Sequence, residues 1–164
     1  MNKIDLKPPT LIEADFALWA KEQAALIRAG QLSRIDLENV AEEIGSLGNA
    51  ERYEIEHRLE VLLLHLLKWQ FQPSRRKRGW QASTTEQRLR IARRIELSPS
   101  LKSYPAKTLP GDYILGRSRA IDETGLPEET FPERCPYSIT QVLDPDFWPG
   151  GSSIPSPRKS ARKA

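Results

Sequence analysis

From Phe16 onward the apolar side chains return every three or four residues, as Phe16, Trp19, Ala20, Leu26 and Ile27 with Gln23 among them, which is the spacing of one helix face. Asp15 stands where an N-cap belongs and Gly30 where a helix stops, so the pattern predicts a helix over Asp15–Ala29. A second periodic stretch opens at Asp36, with Leu37, Val40, Ala41, Ile44 and Leu47 on one side and Glu38, Glu42 and Glu43 mostly on the other. It predicts a helix to about Leu47. Gly45 and Gly48 each weaken a helix by about 1 kcal/mol relative to alanine, which leaves two outcomes: a break with a restart at Asn49, or one continuous bent helix. Ile55, Leu59, Leu62, Leu63 and Leu66 make the next apolar face, and from Val61 to Leu67 that character wraps nearly all round. Such a helix belongs at the centre of a bundle, and Pro73 ends it.

Past a charged connector, Pro73 to Gly79, a further helix runs from about Trp80 or Ser83 to Leu97, with Leu89, Ile91, Ala92 and Ile95 predicted to point inward. Arg88 falls on or beside that stripe. A buried guanidinium calls for a carboxylate, which predicts a pairing with a glutamate such as Glu43. A last long helix is predicted over Pro110–Thr124, with proline in its first turn and Gly125 as a left-handed stop. Phe131, Pro132, Cys135, Pro136 and Tyr137 read as an extended strap over the bundle end, and Ser138 caps a brief helix ending near Leu143. The fold class is therefore all-α: a single bundle of about four to five helices with an irregular C-terminal strap. Residues 1–13 form an N-terminal extension, 14–148 the helical domain, and 149–164 a disordered tail rich in Gly, Ser, Pro and basic residues.

Composition narrows the function classes. At 38% hydrophobic and 29% charged, the chain reads as a soluble globular protein, and its longest apolar run is far shorter than the roughly 20 residues of a membrane span. The N-terminus carries neither an apolar leader nor a cleavage site, which predicts a cytoplasmic protein with no membrane partner. The pI of about 9.1 suggests nucleic acid until the charges are located. Arg158, Lys159, Arg162 and Lys163 lie in the tail, which leaves 21 basic against 22 acidic residues in 1–148. Within that part, Asp36–Glu60 holds eight acidic and two basic residues, and Lys68–Arg94 nine basic and one acidic. The domain is bipolar rather than basic.

Several segments in order carry a resemblance: Asp36-Leu37-Glu38-Asn39, Glu42-Glu43-Ile44, Ser46-Leu47-Gly48, and Leu63 to Trp69; then Trp80, Glu86-Gln87-Arg88, and Ser98 to Leu101; then Glu123 to Pro127 and Phe131 to Tyr137. Over about Ala14 to Phe147 the chain resembles the bacterial family called domain of unknown function 29. The resemblance implies an all-helical fold and no established activity. Pro105 and Gly111 depart from it, since similar chains read as more continuous helix there.

The candidate chemistry is sparse. His65, one turn before Trp69, could act as a ligand or general base, although a histidine among leucines more often completes its hydrogen bonds inside a bundle. Glu54 and His57 have the spacing of half a di-iron site, but one copy cannot build the centre. Cys135 is alone and reads as a strap residue, so neither disulfide nor zinc is expected, and no cofactor or metal is called for. Arg75, Arg76, Lys77 and Arg78, bracketed by Trp69, Phe71 and Trp80, form a basic run with aromatic residues interleaved. Two readings result. The favoured one is a non-catalytic helical module that binds an unidentified protein or a second copy of itself. The alternative is an accessory nucleic-acid binder using Arg75–Arg78, Arg90, Arg93, Arg94 and the tail, with Trp69, Trp80 and Arg88 as further binding candidates, or, less favoured, a nuclease using Glu43 and His65.

Overall fold

The computed structural model describes residues 11–151 and is all-α, with no strand among them. Its helices are α1 (Leu11–Ala14), α2 (Phe16–Arg28), α3 (Leu37–Phe71), α4 (Arg78–Leu97), α5 (Tyr104–Thr124) and α6 (Ile139–Leu143). The chain divides into two compact units, one ending at Asn49 and one beginning at Ala50. The first ten residues of the expected extension, and 152–164 of the expected disordered tail, lie outside the described residues.

In the N-terminal unit the capping chemistry is local. The Asp15 carboxylate accepts from the Leu18 N–H at 2.9 Å, which satisfies one of the orphan donors at the start of α2. Gly30, at φ 68, reverses the chain after the helix. Asp36 then opens α3 by accepting from the Asn39 side chain at 2.7 Å, while its own N–H donates to the Gln23 side chain at 2.9 Å. Asn39, and then more weakly Trp19, hold the Asp36 carboxyl below its ordinary value. Of the two open outcomes at Gly45 and Gly48, the continuous helix is the one formed: α3 is unbroken, and the two glycines meet open space.

In the C-terminal unit, Leu59, Leu62, Leu63, Leu64, Leu66 and Leu67 are all buried, so α3 is enclosed there as its all-round apolar run implies. Helix α5 closes on it through Gly116, where an added Cβ would lie 3.0 Å from the Glu60 carbonyl and 3.2 Å from the Leu63 Cβ. It begins at Tyr104 rather than Pro110. Pro105 takes the first-turn position, and Pro110 sits inside the helix, where it forfeits one hydrogen bond that neighbouring turns and packing outweigh. Gly125, at φ 64, is the left-handed stop the sequence predicts.

Helix α4 presents an unusual inner face. Trp80, Thr84, Gln87, Arg88 and Ile91 point inward, whereas Leu89 is 67% exposed and Ala92 is exposed, contrary to the expected stripe. The error has a single cause: apolarity assigned Leu89 to the core, while Arg88 had the stronger set of partners inside. After α5 the strap buries Phe131 and Tyr137, and the Tyr113 hydroxyl donates to the Pro132 carbonyl at 2.6 Å. Ser138 and Gln141 form a capping box on α6, whose Val142 joins the core.

Candidate interaction surface

The N-terminal unit has helices but little interior. Among its described residues only Trp19 and Gln23 of α2 are buried, and nothing in Leu37–Asn49 is. The apolar stripes that the spacing assigned to a core remain open: Phe16 is 52% exposed, Ile27 48%, Ile44 65% and Leu47 71%. Together with Ala20 and Ala24 they line a mainly apolar groove of about 490 Å³, in which Gln23 and Glu43 are the polar residues. Taking on the order of 150–200 Å² for each large apolar residue when fully exposed, those four leave roughly 400 Å² of greasy surface in contact with water. That is within the size of the largest apolar patch that a monomeric protein commonly exposes, about 300–600 Å². Glu43, offered by the sequence as a catalytic acid, is a half-buried residue of this groove.

The other candidate residues belong to the C-terminal unit, and most of them are held by architecture. His65 donates its Nδ1–H to the Val61 carbonyl one turn back at 2.8 Å. Burial pushes its pKa down and favours the neutral imidazole, with the Val61 contact opposing. The carboxylate of Glu54 is engaged by Arg58 at 2.6 Å, and Arg58 is the main reason its pKa is low. His57 is exposed, and among the described residues no group of three or more His, Cys, Asp or Glu side chains is placed to hold a metal ion. Cys135 is a free, half-buried thiol whose pKa is raised by burial.

Arg88 is the clearest correction. It pairs with neither Glu43 nor any other carboxylate among the described residues; it donates to three main-chain carbonyls, Val142 at 2.9 Å, Phe147 at 2.8 Å and Pro145 at 3.3 Å. Burial lowers its pKa, with Asp144 and Asp146 partly opposing. Its guanidinium also lies 5.4 Å from the Trp148 ring, which packs on Trp69 at 4.7 Å. Trp69, fully buried, donates its indole N–H to the Gly151 carbonyl at 2.8 Å. Arg76 completes the arrangement, donating to the Trp69 carbonyl at 2.9 Å and to those of Pro149 and Gly150 at 3.3 and 3.1 Å. Residues 149–151, assigned by the sequence to the disordered tail, are thus the anchored end of the unit. The fixed fork of arginine suits this role because it can address several carbonyls at once.

The basic run is correspondingly depleted. Trp80 is 8% exposed and faces Lys68 and Lys77 at 4.9 and 5.6 Å, so neither tryptophan offers a free ring for a base to stack on. Arg75, Lys77 and Arg78 remain exposed. Arg90, Arg93 and Arg94 share a cleft of about 210 Å³, and they meet Glu86 at 2.7 Å, Glu96 at 2.7 Å and Glu51 at 2.9 Å respectively.

One residue of interest escaped the sequence reading. Asp112, 6% exposed, lies on the inner face of α5 with Oδ2 buried and unbonded, beside the equally unbonded Thr108 hydroxyl. Burial pushes its pKa up to about 6, and the nearby Glu56 and Glu60 carboxylates add to the shift. Its signal was its spacing, because Asp112 falls in register with Gly116 and Ala120 on the buried face.

No helix among the described residues is long and apolar enough to cross a membrane. No curated protein and no solved structure matches the chain. The family model of "Domain of unknown function DUF29" matches residues 11–148, covering both units, and the chain belongs to that family.

Proposed function

We propose that this protein is a non-catalytic helical interaction module of the bacterial cytoplasm, which engages another polypeptide through the groove of its N-terminal unit. The observation that carries the reading is the uncovered apolar stripe of Phe16, Ile27, Ile44 and Leu47. The largest apolar patch of a soluble domain is often the functional one, and this groove gathers its exposed apolar residues on one face. Of the two residues offered for catalysis, His65 donates to a main-chain carbonyl and Glu43 lines the groove of the other unit.

For nucleic-acid binding, the inward turn of Trp69 and Trp80 leaves the exposed Arg75, Lys77 and Arg78 as the remaining contacts. The test of the favoured reading is photo-crosslinking in cells from a probe residue at Ile44, with a probe at the equally exposed Leu89 as control. Crosslinks to polypeptide are expected from Ile44 and not from Leu89. Absence of any from Ile44 removes the reading.

A further inference from the structure

We propose that the cleft between α3 and α4 in the C-terminal unit is a binding site for a single phosphoryl group, held by the guanidinium groups of Arg58, Arg90, Arg93 and Arg94. All of its residues belong to that one compact unit, and its ligand is distinct from the polypeptide assigned to the groove.

Helical spacing brings the residues together. On α4, Arg90, Arg93, Arg94 and Leu97 stand at i, i+3, i+4 and i+7, which is one face, and Glu54 and Arg58 stand one turn apart on α3. They line a cleft of about 210 Å³, in which four positive side chains meet one carboxylate. Arg58 is half-buried and fixed in place, by Glu54 at 2.6 Å and by the Gln87 side chain at 3.0 Å. Arg94 is half-buried as well, while Arg90 and Arg93 are exposed and stand at the rim.

Three glutamates outside the lining orient these arginines without exhausting them. Arg90 spends its Nε on Glu86, Arg93 one Nη on Glu96, and Arg94 one Nη on Glu51. Both Nη groups of Arg90, and the Nε and second Nη of Arg93 and Arg94, have no partner among the described residues. A guanidinium carries more N–H donors than one carboxylate can use. The one acid inside the cleft shows the sign of the field there: Arg58 foremost, with Arg94 and His57 adding, holds the Glu54 carboxyl below its ordinary value against the opposing effect of burial.

A phosphoryl group suits this arrangement better than a second carboxylate does. It presents more acceptor oxygens and up to two negative charges, so it can take N–H groups from both helices at once, as arginine clusters do when they recognise phosphate. At about 210 Å³ the cleft is smaller than the ~300 Å³ at which pockets for drug-sized ligands begin, so it admits one such group rather than a run of nucleotides. The exposed Arg75 and Arg78 lie at the other end of α4 and are no part of it.

The experiment is calorimetric titration of the full chain with inorganic phosphate at neutral pH and fixed ionic strength, with phenyl phosphate and acetate as comparison ligands. Saturable one-to-one binding of inorganic phosphate is expected, about 10-fold or more tighter than that of acetate. Arg90→Gln with Arg93→Gln should weaken it about 10-fold or more, with an unaltered helical circular dichroism spectrum because both residues are exposed. Arg75→Gln with Arg78→Gln makes the same change of net charge beyond the screening distance and should leave the affinity within about 2-fold. Phenyl phosphate binding as tightly as inorganic phosphate identifies an ester-linked group as the ligand, and a clear preference for inorganic phosphate identifies the free ion; either supports the site. No saturable binding of either phosphate, equal binding of acetate, or an affinity that falls with Arg75 and Arg78 instead of Arg90 and Arg93 overturns it.

Discussion

Replacing Asp112 by asparagine should stabilise the protein, and the gain should depend on pH in a way that identifies its source. The carboxyl group is 6% exposed, has an unbonded oxygen, and carries a pKa pushed up to about 6 from an ordinary value of 3.8. Below pH 3.8 the acid is neutral whether the chain is folded or not, so it contributes no penalty. Between 3.8 and about 6 the unfolded chain ionises Asp112 freely while the folded chain resists, and stability falls as pH rises. Above pH 6 the loss is complete. The gap of about two units corresponds to at most ~3 kcal/mol, and relaxation around a charged group makes 1–3 kcal/mol the expected range. Urea unfolding of Asp112→Asn and the parent, followed by circular dichroism from pH 4 to 8, measures the difference. The variant should gain nothing at the acid end and its full advantage above pH 6. His65 is displaced in the opposite sense, with a folded pKa below 6.5, so that its protonation erodes the fold as pH falls; it is common to both proteins and cancels in the comparison. An asparagine variant equally stable with its parent at every pH, or most favoured in acid, would refute the claim that a buried, poorly solvated carboxyl group sits between α3 and α5.

Two further expectations concern packing. Gly116→Ala should destabilise by about 1–3 kcal/mol, because its Cβ meets the Glu60 carbonyl, a main-chain atom that cannot rotate away; denaturant midpoints read the loss, and an unchanged midpoint would mean that α5 does not approach α3 as described. Arg88→Lys keeps the charge but cannot reach three carbonyls with one ammonium, so a loss of about 2–4 kcal/mol is expected, with faster hydrogen exchange over 142–148. Exchange there that stays slow would remove Arg88 from its role as anchor.

What the sequence disclosed was local chemistry. Asp15, Gly125 and Ser138 end or begin helices through atoms two to four residues away, so their roles could be read without the fold. What it concealed was set by distance. The partners of Arg88 lie 54 to 59 residues along the chain and are carbonyls, which every residue possesses and no sequence pattern distinguishes. Reasoning from charge supplied a glutamate because charge is visible in a sequence and carbonyl geometry is not. The aromatic residues around the basic run looked available for stacking because periodicity cannot show which way a ring faces near a helix end; Trp69 and Trp80 turned inward. The candidate groove was half legible. Helical spacing picked out two stripes, Phe16 and Ile27 on one helix and Ile44 and Leu47 on the next, but whether a stripe is covered by its own chain depends on what else folds against it. Pro110 was misread because a helix tolerates one missing hydrogen bond when burial of Tyr113 and Ala120 on the same helix repays it.

The anchoring of Trp69 by Gly151 has a bearing on how this molecule is made. The two residues are separated by 82 positions, so closing that contact traps a long stretch of polypeptide and is among the last events to become possible. Until Gly151 arrives, the Trp69 indole N–H has water as its partner, so the end of the core stays open to solvent. Loss of the Gly151 carbonyl contact should therefore loosen the end of the core at Trp69 before it loosens the leucine-rich middle of α3.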